Sequence, residues 1–167
     1  MLKVRFLWAL PILAILSTLT LAQEASVTRD REGPIQIDAD SGEFDNRVNA
    51  YKLFGNVRIS HGSLTVFADE GFAYQTPGED ERVELFGSPT RWTLLMDNGT
   101  EANGQSDQII YNLSQNVIVM LGNATVQDSR GTFTGARLTY DLETEKTEGE
   151  GGVKVVIDPP KTRNESP

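Results

Sequence analysis

The chain of 167 residues contains one histidine, His61, and no cysteine. Zinc centres draw three or four ligands, most of them His or Cys, so one subunit lacks the donors for such a site. His61 stands beside Gly62 in a turn and is read as an exposed turn residue. As the base of a Ser-His-Asp arrangement it would need a nucleophile elbow, and Gly-x-Ser-x-Gly occurs nowhere. Carboxylates are plentiful at Asp38/Asp40, Asp69/Glu70 and Glu79/Asp80/Glu81, but these fall at strand ends and turns, where solvated charge belongs. A sugar-cleaving carboxylate pair is also disfavoured by the lack of stacking aromatics, because Trp92 is the one tryptophan outside the N-terminal segment. The acidic spacing does not fit a calcium loop. The sequence therefore predicts no catalytic residue, no metal and no cofactor.

The chemistry that remains is apolar and repeated. In residues 111–126 an aromatic residue is followed by a polar turn, a β-branched run, a glycine and a new strand. The interval from aromatic to glycine is 11 for Phe44 to Gly55, Tyr111 to Gly122 and Tyr140 to Gly151, and 13 for Tyr74 to Gly87. Successive aromatics lie 30, 37 and 29 residues apart, a period that signals stacked supersecondary units. Phe44, Tyr74, Tyr111 and Tyr140 are thus expected in equivalent places on successive turns. Hairpins are expected at residues 61–63, 97–99 and 128–131, and no helical period appears beyond the N-terminal segment. The fold class is all-β, built from about four modules.

Strand side chains alternate between faces, so Ile35 and Ile37 share a face, as do Trp92 and Leu94, and Ile109, Tyr111 and Leu113. Several strands are apolar on both faces, notably residues 117–121, whereas a strand with one wet face alternates. Two explanations stand: a sandwich with both faces partly covered, or an interior enlarged to accept a lipid. An open array also leaves unpaired edges. The strand carrying Ile35 and Ile37 and the strand carrying Val153, Val155 and Ile157 are the expected assembly edges.

Residues 1–22 have the form of an export signal: Lys3 and Arg5, an apolar core, then Thr20-Leu21-Ala22 before the expected cleavage. Cleavage leaves 145 residues and takes the formal net charge from −9 to −11, which disfavours nucleic acid as a partner. Residues 23–33 are expected to form a flexible arm, 34–158 the domain and 159–167 a disordered tail.

Pro34-Ile35-Gln36-Ile37-Asp38-Ala39-Asp40, Phe54-Gly55-Asn56-Val57, Thr76-Pro77-Gly78, Asp97-Asn98-Gly99, Gly122-Asn123-Ala124 and Leu138-Thr139-Tyr140 occur in that order. Together they resemble the OstA-like, or LptA, family of periplasmic lipopolysaccharide-transport proteins. The resemblance runs from about residue 34 to residue 159. It implies a β-jellyroll of two antiparallel sheets, open at its edges, whose copies associate head to tail. It further implies a periplasmic bridge between an inner-membrane adaptor and an outer-membrane translocon that carry the same jellyroll. Lipopolysaccharide would travel with its acyl chains inside, and Ile35, Trp92, Tyr111 and Leu113 match the family's lipid-contacting positions. One departure is the short Pro-Pro tail in place of the basic extension of enterobacterial members. Two other readings stay open: a membrane-anchored adaptor of the same family that keeps its first 22 residues, and an exported carbohydrate-modifying enzyme.

Overall fold

The computed structural model describes residues 31–74 and 81–159. Ten strands follow in order: β1 (Gln36–Asp38), β2 (Ser41–Asp45), β3 (Ala50–His61), β4 (Leu64–Tyr74), β5 (Arg82–Leu95), β6 (Glu101–Asn112), β7 (Val117–Asp128), β8 (Gly131–Asp141), β9 (Thr147–Glu150) and β10 (Lys154–Ile157). They form one open antiparallel sheet in the order β1-β3-β4-β5-β6-β7-β8-β10, with β2 also on β3 and β9 also on β8. The three expected hairpins join β3 to β4, β5 to β6 and β7 to β8.

The long strands break in the middle. Registers slip between Phe54 and Val57, Phe67 and Glu70, Phe86 and Thr90, Gln105 and Gln108, and Leu121 and Ala124. Bulges bend a strand and sharpen its twist, and a line of them divides the sheet into two halves. One half holds β2, β9 and the segments 50–54, 70–74, 82–86, 108–112, 117–121 and 137–141. The other holds β1, β10 and the remaining strand segments. The two sheets of the expected jellyroll are these halves, hydrogen-bonded through the bulge line.

Two repeated glycines supply the bend. Gly55 and Gly122 both adopt φ of +75°, each followed by an Asn with positive φ, at 47° and 49°. That region is open to glycine and tolerated by Asn. An acid closes each bulge: a Cβ on Gly55 would lie 2.5 Å from Asp40 Oδ2, and a Cβ on Gly122 would lie 2.5 Å from Asp107 Oδ2. Asn56 and Asn123 donate to those same carboxylates at 2.8 and 2.9 Å. Gly87 differs, staying outside the left-handed region beside a cis Ser88–Pro89 bond in a longer irregularity.

Cross-strand partners on the first half give one continuous row: Phe44, Tyr51, Ala73, Val83, Tyr111, Ile118, Tyr140 and Thr147. This corrects the expected equivalence of the four aromatics. Phe44, Tyr111 and Tyr140 do correspond, but the fourth position is Ala73. Tyr74 lies one residue further on and so points to the opposite face, where its ring lies under the Arg82 guanidinium at 4.3 Å.

The matching row on the second half is Ile37, Ile59, Val66, Trp92, Gly104, Val126, Phe133 and Val155. The halves meet through these rows, with the Trp92 and Tyr140 rings 4.9 Å apart. The expected leader and the arm up to residue 30 lie outside the described residues, as does the tail beyond Pro159. Residues 31–33, expected in the flexible arm, are instead docked. Arg31 is buried, donating to the Leu142 carbonyl at 2.8 Å and to Ser63 Oγ at 3.2 Å.

Candidate functional site

At the β1–β2 end a cavity of about 670 Å³ opens between the halves. Ile35, Ile37, Leu53, Ala73, Val83 and Leu113 give it apolar lining, with Tyr51 beside them, and Arg31, Glu81, Arg82 and Ser114 also line it. Ile37 of β1 and Ile35, one residue before that strand, lie two apart and both pack partly buried against the core. Leu113 sits one residue past β6 and is fixed by its amide donating to the Glu81 carbonyl at 2.9 Å.

His61 also borders this cavity, and its expected place as an exposed turn residue is overturned: it is 6 % exposed. Its Nε2 lies 3.0 Å from the Gly33 carbonyl and its Nδ1 lies 2.7 Å from the Tyr111 hydroxyl. A carbonyl only accepts, so Nε2 donates to Gly33, and Nδ1 pairs with the Tyr111 hydroxyl. The turn places His61 at the strand end, but its side chain points inward and ties the N-terminal segment to the second half of the core. Its role is structural satisfaction of a buried hydroxyl.

The sequence-derived lipid set divides in the structure. Ile35, Ile37 and Leu113 line the cavity. Trp92, Leu94, Ile109 and Tyr111 are 0 to 2 % exposed within the sealed centre. Trp92 lies against Gly104 so closely that a Cβ there would sit 2.3 Å from Nε1, and Nε1 donates to Met120 Sδ at 3.2 Å. In this conformation those four side chains touch protein. Leu53, Ala73 and Val83 line the cavity as well, and the sequence reading missed them. The spacing held a signal for Ala73: it lies 29 residues after Phe44, as Tyr140 lies 29 after Tyr111.

The opposite end has a second hollow of about 350 Å³, bordered by Val126, Phe133, Val155 and Ile157. β10 pairs with β8 on one side only among the described residues, and all four of its residues are exposed, Ile157 at 79 %. At the first end, β2 carries a charge cluster in which Asp45 accepts from Arg47 and Lys52. Those hydrogen bonds, Arg47 first, hold the Asp45 carboxyl well below the usual carboxylate range. Burial pushes the Tyr140 phenol up to about 12. Among the described residues no group of three or more His, Cys, Asp or Glu side chains is placed to hold a metal ion.

An open, bulged antiparallel sheet folded into two facing halves, apolar between them and with its outer edges unpaired among the described residues, is an all-β jellyroll. The sequence profile of the LptA/(LptD N-terminal domain) LPS transport protein family matches residues 36–146, and the chain belongs to that family. It is 29 % identical over 123 residues to the lipopolysaccharide export system protein LptA of Escherichia coli K12, a match covering 72 % of this chain and 66 % of that protein. It is 28 % identical over 144 residues to the lipopolysaccharide export system protein LptH of Pseudomonas aeruginosa, covering 83 % and 81 % of the two chains. The crystal structure of LptH, the LptA-homologous periplasmic component of the lipopolysaccharide transport device in that organism, superposes with a TM-score of 0.71 at 23 % identity. That match covers 78 % of this chain and 99 % of the other, and it shows the shared fold.

Proposed function

We propose that this chain is an exported periplasmic lipopolysaccharide carrier that receives acyl chains between its two sheet halves and passes them along an array of similar jellyrolls. The observation that carries this reading is the cavity at the β1–β2 end, where both halves present apolar side chains to a common space of about 670 Å³. Hydrocarbon is the chemistry that fits, since each methylene withdrawn from water contributes about 0.8 kcal/mol. The formal net charge of −9 disfavours a tight grip on head-group phosphates, which suits a carrier that must release its cargo.

Assembly follows from the ends. β1 and β2 leave one outer edge and β9 and β10 the other, and joining unlike edges propagates without closing. The partners proposed are further copies, an inner-membrane adaptor and an outer-membrane translocon bearing the same module. Ile35 and Ile37 serve the first edge; Val153, Val155 and Ile157 serve the second.

The test is to express the complete chain in a Gram-negative host, recover it from the periplasm without detergent and analyse bound lipid. Lipopolysaccharide is expected to co-purify and to exchange with added lipopolysaccharide. Protein that emerges folded, carries no lipid and takes up none on addition contradicts the proposal.

A further inference from the structure

Within the inward row of the first half, Phe44, Tyr111 and Tyr140 recur at corresponding register positions and Ala73 takes the place of the remaining ring. The consequences differ across the molecule. Around Tyr111 and Tyr140 the halves are closed, both side chains being 0 % exposed. Around Ala73 there is the cavity, with Val83 beside it on the neighbouring strand and Ile35 and Ile37 on the facing half. The space lies where the series omits a ring.

We propose that Ala73 is the specificity-determining residue of an acyl-chain seat, its small side chain setting how much hydrocarbon enters between the halves. This rests on the lipid-carrier reading and adds to it a single residue that gauges the bore. Several features narrow the occupant to a chain with one polar end. Aliphatic side chains and Tyr51 supply apolar surface to the cavity, and Arg31, Glu81, Arg82 and Ser114 add polar groups to its lining. Both ring nitrogens of His61 are already engaged, by Gly33 and Tyr111, so the imidazole adds no open polar demand. A space of this size falls in the range of small-ligand sites, roughly 300–1,000 Å³.

The experiment compares the full-length secreted chain with Ala73→Val and Ala73→Phe, using a pyrene-labelled fatty acid as probe and purified lipopolysaccharide as competitor. Filling an existing space costs little in the fold, and Ala73→Val is small enough to report even where Ala73→Phe fails to fold. Unfolding midpoints identify the folded variants. Affinity is expected to fall in order of added volume, by about tenfold or more for Ala73→Phe, while the outward neighbour Phe72→Tyr binds as the parent does. Folded Ala73 variants that bind the probe like the parent overturn the gauge and leave the carrier reading standing. A parent chain that binds neither the fatty acid nor lipopolysaccharide overturns both.

Discussion

The inward row of the first half runs through two environments on one backbone. At Tyr111, Ile118 and Tyr140 it is fully buried, with Trp92 from the facing half packed on Tyr140. At Phe44 and Tyr51 it is 41 and 43 % exposed, and at Ala73 it borders the cavity. Strands paired in one continuous antiparallel ladder run through both regions, so strand pairing alone does not decide between them. Side-chain volume does, together with the number of strands left to cover each row. A repeated β-array can hold a solid centre, which keeps the fold in register, and an open end that keeps apolar surface available to a ligand.

Truncating each region tests that contrast most severely. Trp92→Ala empties the centre and is expected to cost about 3–5 kcal/mol, whereas Leu53→Ala, on the wall of a space already open, is expected to cost under about 1.5 kcal/mol, below the usual range for a sealed leucine. Urea unfolding of the two variants reads the difference; equal losses would mean that the two regions are packed alike. Overpacking probes the centre from the other direction. Gly104→Ala drives a methyl into Trp92 and is expected to lose about 1–3 kcal/mol, with a near-ultraviolet dichroism change from the displaced indole.

At the far edge, Val155→Pro removes an amide from a peripheral strand. We expect self-association to fall while the near-ultraviolet signal of the Trp92 region stays as in the parent. Association unchanged in sedimentation would remove β10 from the proposed joint.

The smallest effect is a pH dependence confined to the sealed region. In the fold Tyr140 holds its proton up to about 12, against about 10 for an unfolded tyrosine. Between those values the native state binds more protons than the unfolded one, so this contribution is complete below about pH 10 and is lost as pH rises toward 12. Tyr140→Phe is expected to flatten that part of the stability profile relative to the parent, measured as unfolding midpoints across the alkaline range.

Much of the sealed centre was legible in the sequence because period-two alternation is local. Trp92 with Leu94 and Ile109 with Tyr111 point inward as their spacing requires. Gly55 and Gly122 stood out as junctions for the same reason, each followed by Asn. What the local pattern could not supply was register across the sheet. Tyr74 attracted the aromatic assignment that belongs structurally to Ala73, and a single step in a strand reverses the face. His61 looked like a turn residue because its partners, Gly33 and Tyr111, lie 28 and 50 residues away. The same long-range closure made Arg31 part of the core while its neighbours in sequence are polar. The cavity itself is a product of that closure, visible only once Ile37 and Ala73 are set in facing rows.

The central claim, that lipid occupies the open end between the halves, is tested most directly by placing a photo-crosslinking side chain at Leu113, at its outward neighbour Asn112 and at Trp92, then irradiating cells that make lipopolysaccharide. Capture is predicted at Leu113, which lines the cavity, with none at Asn112 and little at the sealed Trp92 position. Equal capture at Leu113 and Asn112, or no capture at Leu113 in folded protein, would contradict it.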